Sequence, residues 1–315
     1  MSGFSPGRSV IIDTDPGVDD AMAIALALAS PELDVVALTT VFGNHHTPQT
    51  TRNALTIVEQ LGRPHLPVIR GADGPIVRSF DRPATFVHGE DGLGDAGLRA
   101  PCGHAQPNIR GAEYLVREVL ARRDQLTFVA LGPLTNLALG VLLEPEFVAH
   151  VSEVVVMGGA ALTPGNASPV AEANILADPE SAEIVFNADW PVTMVGLDVT
   201  ERVLIDDDWL DRLGAVDSAP ARLVTTTVGP YRHFHGDLGG IHGHDAIAIA
   251  HLIDPDILEL TPLALRVSTS GPADGETVVA RPGVDAPGWS DAPIIDVATS
   301  VDSERFLALL FDRLS

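Results

Sequence analysis

The run from Val10 to Ala21 reads VIIDTDPGVDDA, an apolar stretch followed by Asp13, Asp15, Asp19 and Asp20 around a Pro-Gly. Carboxylates this close repel one another, so they must be solvated, protonated or neutralised by a cation. A hard divalent cation with oxygen ligands, Ca²⁺ or Mg²⁺, suits the set best. The positive end of the following helix favours Asp19 and Asp20 by about 0.3–1 kcal/mol each. That preference does not explain Asp13 and Asp15, which end an otherwise apolar strand. Two rival readings fail on the residues. An EF-hand loop starting at Asp13 needs Gly at its sixth position and Glu at its twelfth, where the chain has Val18 and Ile24. A phosphatase with an aspartyl nucleophile needs a lysine on the phosphoryl group, whereas all 19 basic residues are Arg and Pro16 follows the first aspartate pair.

Elements that would position such a cluster follow in the same order along the chain. Short β-branched runs (VIID, LDVVALTTV, LPVIRG, QLTFVAL, SEVVVMGG, PVTMVGLDV) alternate with helical patterns such as AMAIALALAS and GAEYLVREVLARR, and an apolar helix spans Asp245 to Ile253. This predicts an α/β fold with an open, mainly parallel sheet flanked by helices, whose strands are apolar throughout because both faces are covered. No linker or repeat divides residues 1–315, which predicts one domain. In such a sheet the ligand sits beyond the carboxyl ends of the strands. Those ends carry the aspartates, Gly43-Asn44-His45-His46, Gly132-Pro133 and Gly158-Gly159, with the loop-like stretches GNASPVAEAN and HGDLGGIHGHD further on.

A net charge of −24 offers no basic footprint for a phosphate backbone and argues against nucleic-acid binding. No stretch reaches the ~20 apolar residues of a membrane span. The single cysteine, Cys102, cannot form an internal disulfide, so a reducing cytoplasm is the expected compartment.

The aspartate run also resembles the N-terminal signature of the inosine-uridine preferring nucleoside hydrolase family. VFGN at Val41 to Asn44, TTRNAL, HGEDGLG from His88, ALGPLTNLA from Ala130, VVVMGGA, GN followed by EAN, and GHDA at Gly243 to Ala246 keep the family's order from about Val10 to Phe311. The resemblance implies a Rossmann-like nucleoside hydrolase fold, a Ca²⁺ cofactor, a small-molecule nucleoside substrate in purine or pyrimidine salvage, and a homodimer or homotetramer. It implies that Asp15 is both general base and metal ligand, activating a metal-bound water, and that Asp20, Asp245 and the carbonyl of Leu131 complete the metal site. Asp19, Asn44 and Asn174 match the ribose ligands, Asn166 and Glu172 the residues near the 5'-hydroxyl, and Met157 a residue approaching the sugar. Ala173 departs from the family, which commonly has Phe there.

His244, beside Asp245 and of a type that titrates near neutrality, is the best candidate acid for the leaving base. Tyr231 and His235 are read as base contacts on a mobile lid, since Gly229, Gly236, Gly239 and Gly240 surround them. His88 is a further pocket candidate. The reading is Ca²⁺-dependent hydrolysis of the N-glycosidic bond to ribose and free base. A same-scaffold hydrolase of a non-standard riboside and a catalytically weak nucleoside-binding protein stay open beside it.

Overall fold

The computed structural model describes residues 7–98, 108–280 and 288–315; Cys102 lies outside them. Among the described residues eleven strands are formed: β1 (Arg8–Thr14), β2 (Leu33–Thr40), β3 (Val68–Arg70), β4 (Leu126–Ala130), β5 (Val151–Met157), β6 (Val192–Val195), β7 (Ile205–Asp206), β8 (Gly240–Ile241), β9 (Leu258–Val267), β10 (Thr277–Val279) and β11 (Ile294–Val301). The main sheet has nine of them in the order β10-β9-β11-β6-β5-β4-β1-β2-β3. From β3 across to β11 all neighbours are parallel; β9 pairs antiparallel with both β11 and β10. The expected open, mainly parallel sheet is present.

Chain direction across the sheet reverses at β1: β2 and β3 build outward on one side, β4, β5 and β6 on the other. The gap between β1 and β4 is thus the switch point at which ligands bind in such sheets. Each strand feeds two cores because side chains alternate across the pleat. Val10, Ile12, Val129 and Val155 join one buried cluster, and Ile11, Phe128, Ala130, Val154 and Val156 the other. Burial on both faces is why these strands read as unbroken apolar runs.

The helix Val18–Ala29 (α1) is buried on nearly every side, lying on the sheet beside the helix His244–Ile253 (α2), which begins one residue before the expected start. Its apolar Ala, Leu and Ile residues suit that position. The first turns of α1 and α2 carry Asp19, Asp20 and Asp245, so packing these helices together is what brings the two ends of the chain to one place.

Two regions differ from the sequence reading. The C-terminal strands β9 to β11 have no counterpart in it. β9 is buried on alternate residues over its second half, and Pro262 lies within it, opposite Asp296 of β11, where β10 has already ended. The histidine-rich stretch, expected to be loop, holds a helix Gly229–Phe234, a 3₁₀ turn Gly236–Leu238 and β8 paired to β7. Pro230 in the first turn presets helical φ, and a run this short shows no periodicity in sequence.

The irregular segment after β3 is fastened rather than free. Arg78 pairs with Glu180 (2.8 Å) and with Asp274, and donates to the carbonyl of Thr269 (2.8 Å). The Phe80 ring lies on Phe42 and His46. This fixes the approach to the short helix Thr85–His88, which faces the switch point. Among the described residues no helix is long and apolar enough to cross a membrane.

Candidate active site

Asp13 closes the floor beneath the switch point. Its Oδ1 accepts hydrogen bonds from Thr39 Oγ1 on β2 (2.5 Å) and Asn136 Nδ2 (2.7 Å), and burial pushes its pKa up to about 7. It is a tie between elements, placed below the ligand-facing groups. Asp15, two residues on, accepts from the Asn44 N–H on Oδ2 (2.6 Å), while Oδ1 is buried with no partner among the described residues. The backbones of Gly43 and Gly132 close directly on this carboxylate, leaving no room for a Cβ at either position.

Asp20 accepts from Thr14 Oγ1, from the N–H of Gly17 (2.8 Å) and from Asn44 Nδ2 (3.0 Å). Asp19 is reached on Oδ2 by the Tyr231 hydroxyl (3.4 Å), and its Oδ1 is buried without a partner among the described residues. Asp19, Asp20 and Asp245 each bring a carboxylate oxygen within 4.8 Å of the others. Burial, then repulsion from neighbouring carboxylates, holds Asp15 and Asp245 well above the usual carboxylate range; burial likewise raises Asp19 and Asp20 to about 6. Groups held up in this way, with unpartnered oxygens aimed inward, fit a hard divalent cation on oxygen donors. The trio therefore contains Asp19 as well as the anticipated Asp20 and Asp245, with Asp15 at its side.

Above the carboxylates opens a cavity of about 380 Å³, within the range of small-molecule sites. Asp19, Asn44, Leu131, Met157, Asn174 and Asp245 line its buried end. Asn174 Nδ2 donates to the carbonyls of Leu131 (2.8 Å) and Met157 (3.2 Å). Glu172 caps the helix Ala173–Ala177, accepting from the N–H groups of Asn174 (2.9 Å), Gly159 (3.0 Å) and Ile175 (3.1 Å). Asn166 accepts from the Ala173 N–H (3.1 Å), and both it and Glu172 also line the cavity.

Aromatic and imidazole rings form the opposite wall. His88 stacks on Tyr231 (5.4 Å), Tyr231 touches His235 (4.5 Å), and the chain continues through His242 to His244. His88 Nδ1 accepts from the Val18 N–H (3.2 Å), which puts the ring proton on Nε2, and burial lowers its pKa to about 4. His244 Nδ1 lies 2.8 Å from Thr200 Oγ1, and burial, followed by the neighbouring imidazoles, lowers its pKa to about 3. Tyr231 is buried on its helix and directed at Asp19, and with His235 it lines the cavity. The large apolar side chains that this segment exposes are Phe234 and Leu238.

An open parallel sheet whose switch point carries buried carboxylates under a ligand-sized cavity defines a small-molecule enzyme of the α/β class. Residues 10–308 match the family described as inosine-uridine preferring nucleoside hydrolase, and the chain belongs to that family. It is 40% identical to a probable uridine nucleosidase 2 of Arabidopsis thaliana, over 98% of this chain and 97% of the relative. It is 35% identical to the inosine-uridine preferring nucleoside hydrolase of Crithidia fasciculata, over 98% and 97% respectively. A solved plant nucleoside hydrolase superposes with a TM-score of 0.94 at 39% identity, covering 98% of this chain and 99% of the other. The protein is an N-glycosidase acting on ribonucleosides.

All the anticipated ligand-facing residues border the cavity, with Asp15 and Asp20 beneath it. Phe86, Phe234, Leu238 and Glu201 also line it and were not singled out from sequence; a lone Phe or Glu carries no signal until the fold places it. His45 and His46 do not line it: His45 accepts from the His46 N–H (2.8 Å) and His46 meets Phe80. A Cβ on Gly132 would lie 2.9 Å from Asp15 Cγ. Gly132→Ala is therefore expected to turn this carboxylate aside and lower kcat by about 10²-fold with little change in KM, as steady-state kinetics would show.

Proposed function

We propose that this chain is a Ca²⁺-dependent ribonucleoside hydrolase that yields ribose and free base, with Asp15 as general base. The observation that carries the proposal is the buried, unpartnered Oδ1 of Asp15 beside three converging carboxylates. Asp15, Asp20, Asp245 and the Leu131 carbonyl are the proposed ligands of the ion, with Asp19 offering a further oxygen. When bound there, calcium would hold the ribose 2'- and 3'-hydroxyls and lower the pKa of a coordinated water.

Asp19, Asn44 and Asn174 orient the sugar at the buried end, and Glu172 with Asn166 faces its 5' side. Asp15 takes the proton of the attacking water, a general-base contribution of about 10²–10⁴ in rate. As the glycosidic bond lengthens, positive charge grows on the sugar, and the fixed negative groups Asp19 and Glu172 favour it. His244, its Nδ1 held by Thr200, offers an Nε2–H hydrogen bond to the departing base; because burial keeps the imidazole neutral, the proton that completes the base comes from solvent rather than from this ring. The same reading places the enzyme in the cytoplasm as a homodimer or homotetramer.

The test is incubation with a panel of nucleosides in calcium and detection of reducing sugar. Release from uridine or inosine is the expected result. Release from other ribosides alone would move the substrate class, and binding without turnover would reduce the chain to a nucleoside-binding protein.

A further inference from the structure

Glu201 borders the cavity at the end of the short helix Leu197–Thr200, is exposed, and has no hydrogen-bond or ion-pair partner for its carboxylate among the described residues. The adjacent Arg202 does not neutralise it, since its guanidinium donates to the carbonyl of Thr299 (3.1 Å). The residues on either side fix where Glu201 stands. Thr200 holds His244 through its hydroxyl, and the carbonyl of Val203 accepts the Nδ1–H of His242 (2.9 Å). Glu201 is thus at the imidazole end of the cavity, where the proposed reaction puts the base.

Two of the imidazoles at that end present acceptors. His235 donates its Nδ1–H to the Tyr231 carbonyl (2.9 Å), as His242 does to Val203, so Nε2 of each neutral ring carries a lone pair. Glu201 is also an acceptor. The Phe86 and Phe234 rings, 5.9 Å apart and edge to face, also line the cavity and are exposed at the rim. An apolar rim beside these acceptors suits a planar ligand that supplies N–H donors.

We propose that Glu201 is a specificity-determining residue, accepting an N–H on the Watson–Crick edge of the nucleobase. Imide and lactam bases such as uracil and hypoxanthine are then favoured over the same bases blocked at that nitrogen. This rests on the ribonucleoside hydrolase reading above, and the experiment separates the two.

The measurement is kcat/KM for uridine and for 3-methyluridine, which lacks the N3–H, in the full-length calcium-loaded enzyme and in Glu201→Ala and Glu201→Gln. A hydrogen bond to a charged acceptor predicts that the unaltered enzyme prefers uridine by at least about tenfold. Glu201→Ala brings the two substrates to within about threefold, while Glu201→Gln, which keeps an acceptor oxygen, retains a partial preference. An unchanged ratio in Glu201→Ala, or an equal loss of turnover on both substrates, overturns this assignment alone. An unaltered enzyme that hydrolyses no ribonucleoside overturns the underlying activity and this assignment together.

Discussion

Asp15→Asn is expected to lower kcat by about 10²–10⁴-fold while leaving the protein folded, because removing a general base costs that much. The structure makes the substitution clean. Asn retains an oxygen to accept the Asn44 N–H, as Asp15 Oδ2 does, and matches the space between Gly43 and Gly132. What it loses is the capacity to take a proton. In ion-free buffer the variant should melt at the same temperature as the parent or above it, since burial and repulsion from Asp20 and Asp19 oppose the Asp15 charge. Kinetics and thermal unfolding on one preparation decide the matter. Near-normal turnover would remove Asp15 from the base role, and a collapse in melting temperature would mark it as structural instead.

Removal of divalent cations carries the second large effect. A chelator is expected to abolish turnover and to lower the melting temperature, and added calcium to restore both. Asp19, Asp20 and Asp245 converge within 4.8 Å, a costly arrangement for ionised groups without a counter-charge. An ion that binds the folded chain alone stabilises it by about 2.7 kcal/mol at a hundred times its dissociation constant. Asp245→Ala is expected to lose most of this calcium-dependent gain, because it removes the only carboxylate of the trio supplied by α2. Activity and melting temperature that ignore both chelator and calcium would sink the metal assignment, and a gain with magnesium alone would change its identity.

Much of the fold was legible because a parallel sheet covered on both faces must be built from apolar runs, and β1, β2, β4, β5 and β6 are such runs. The antiparallel strands were not legible. β9 mixes exposed and buried residues around Pro262, a pattern that resembles neither a covered strand nor a helix. In the site, the anticipated residues do gather at one cavity, since local motifs mark strand ends and helix starts. Glycine spacing around Tyr231 describes backbone freedom and says nothing about whether the intervening side chain finds a buried partner such as Asp19.

The sequence by itself determined the chemistry on offer: carboxylates too crowded to remain uncompensated, no lysine, and an alternation of strand and helix that puts them at strand ends. Only the tertiary structure decided how the labour is divided. Asp13 turned down to Thr39 and Asn136, Asp19 joined the trio, Asp245 arrived from the other end of the chain, and Glu201 came to the rim with no partner among the described residues. The reason is directional. Residue type sets what a side chain can do, but the helix and strand that carry it, and their packing against elements distant in sequence, set where it points.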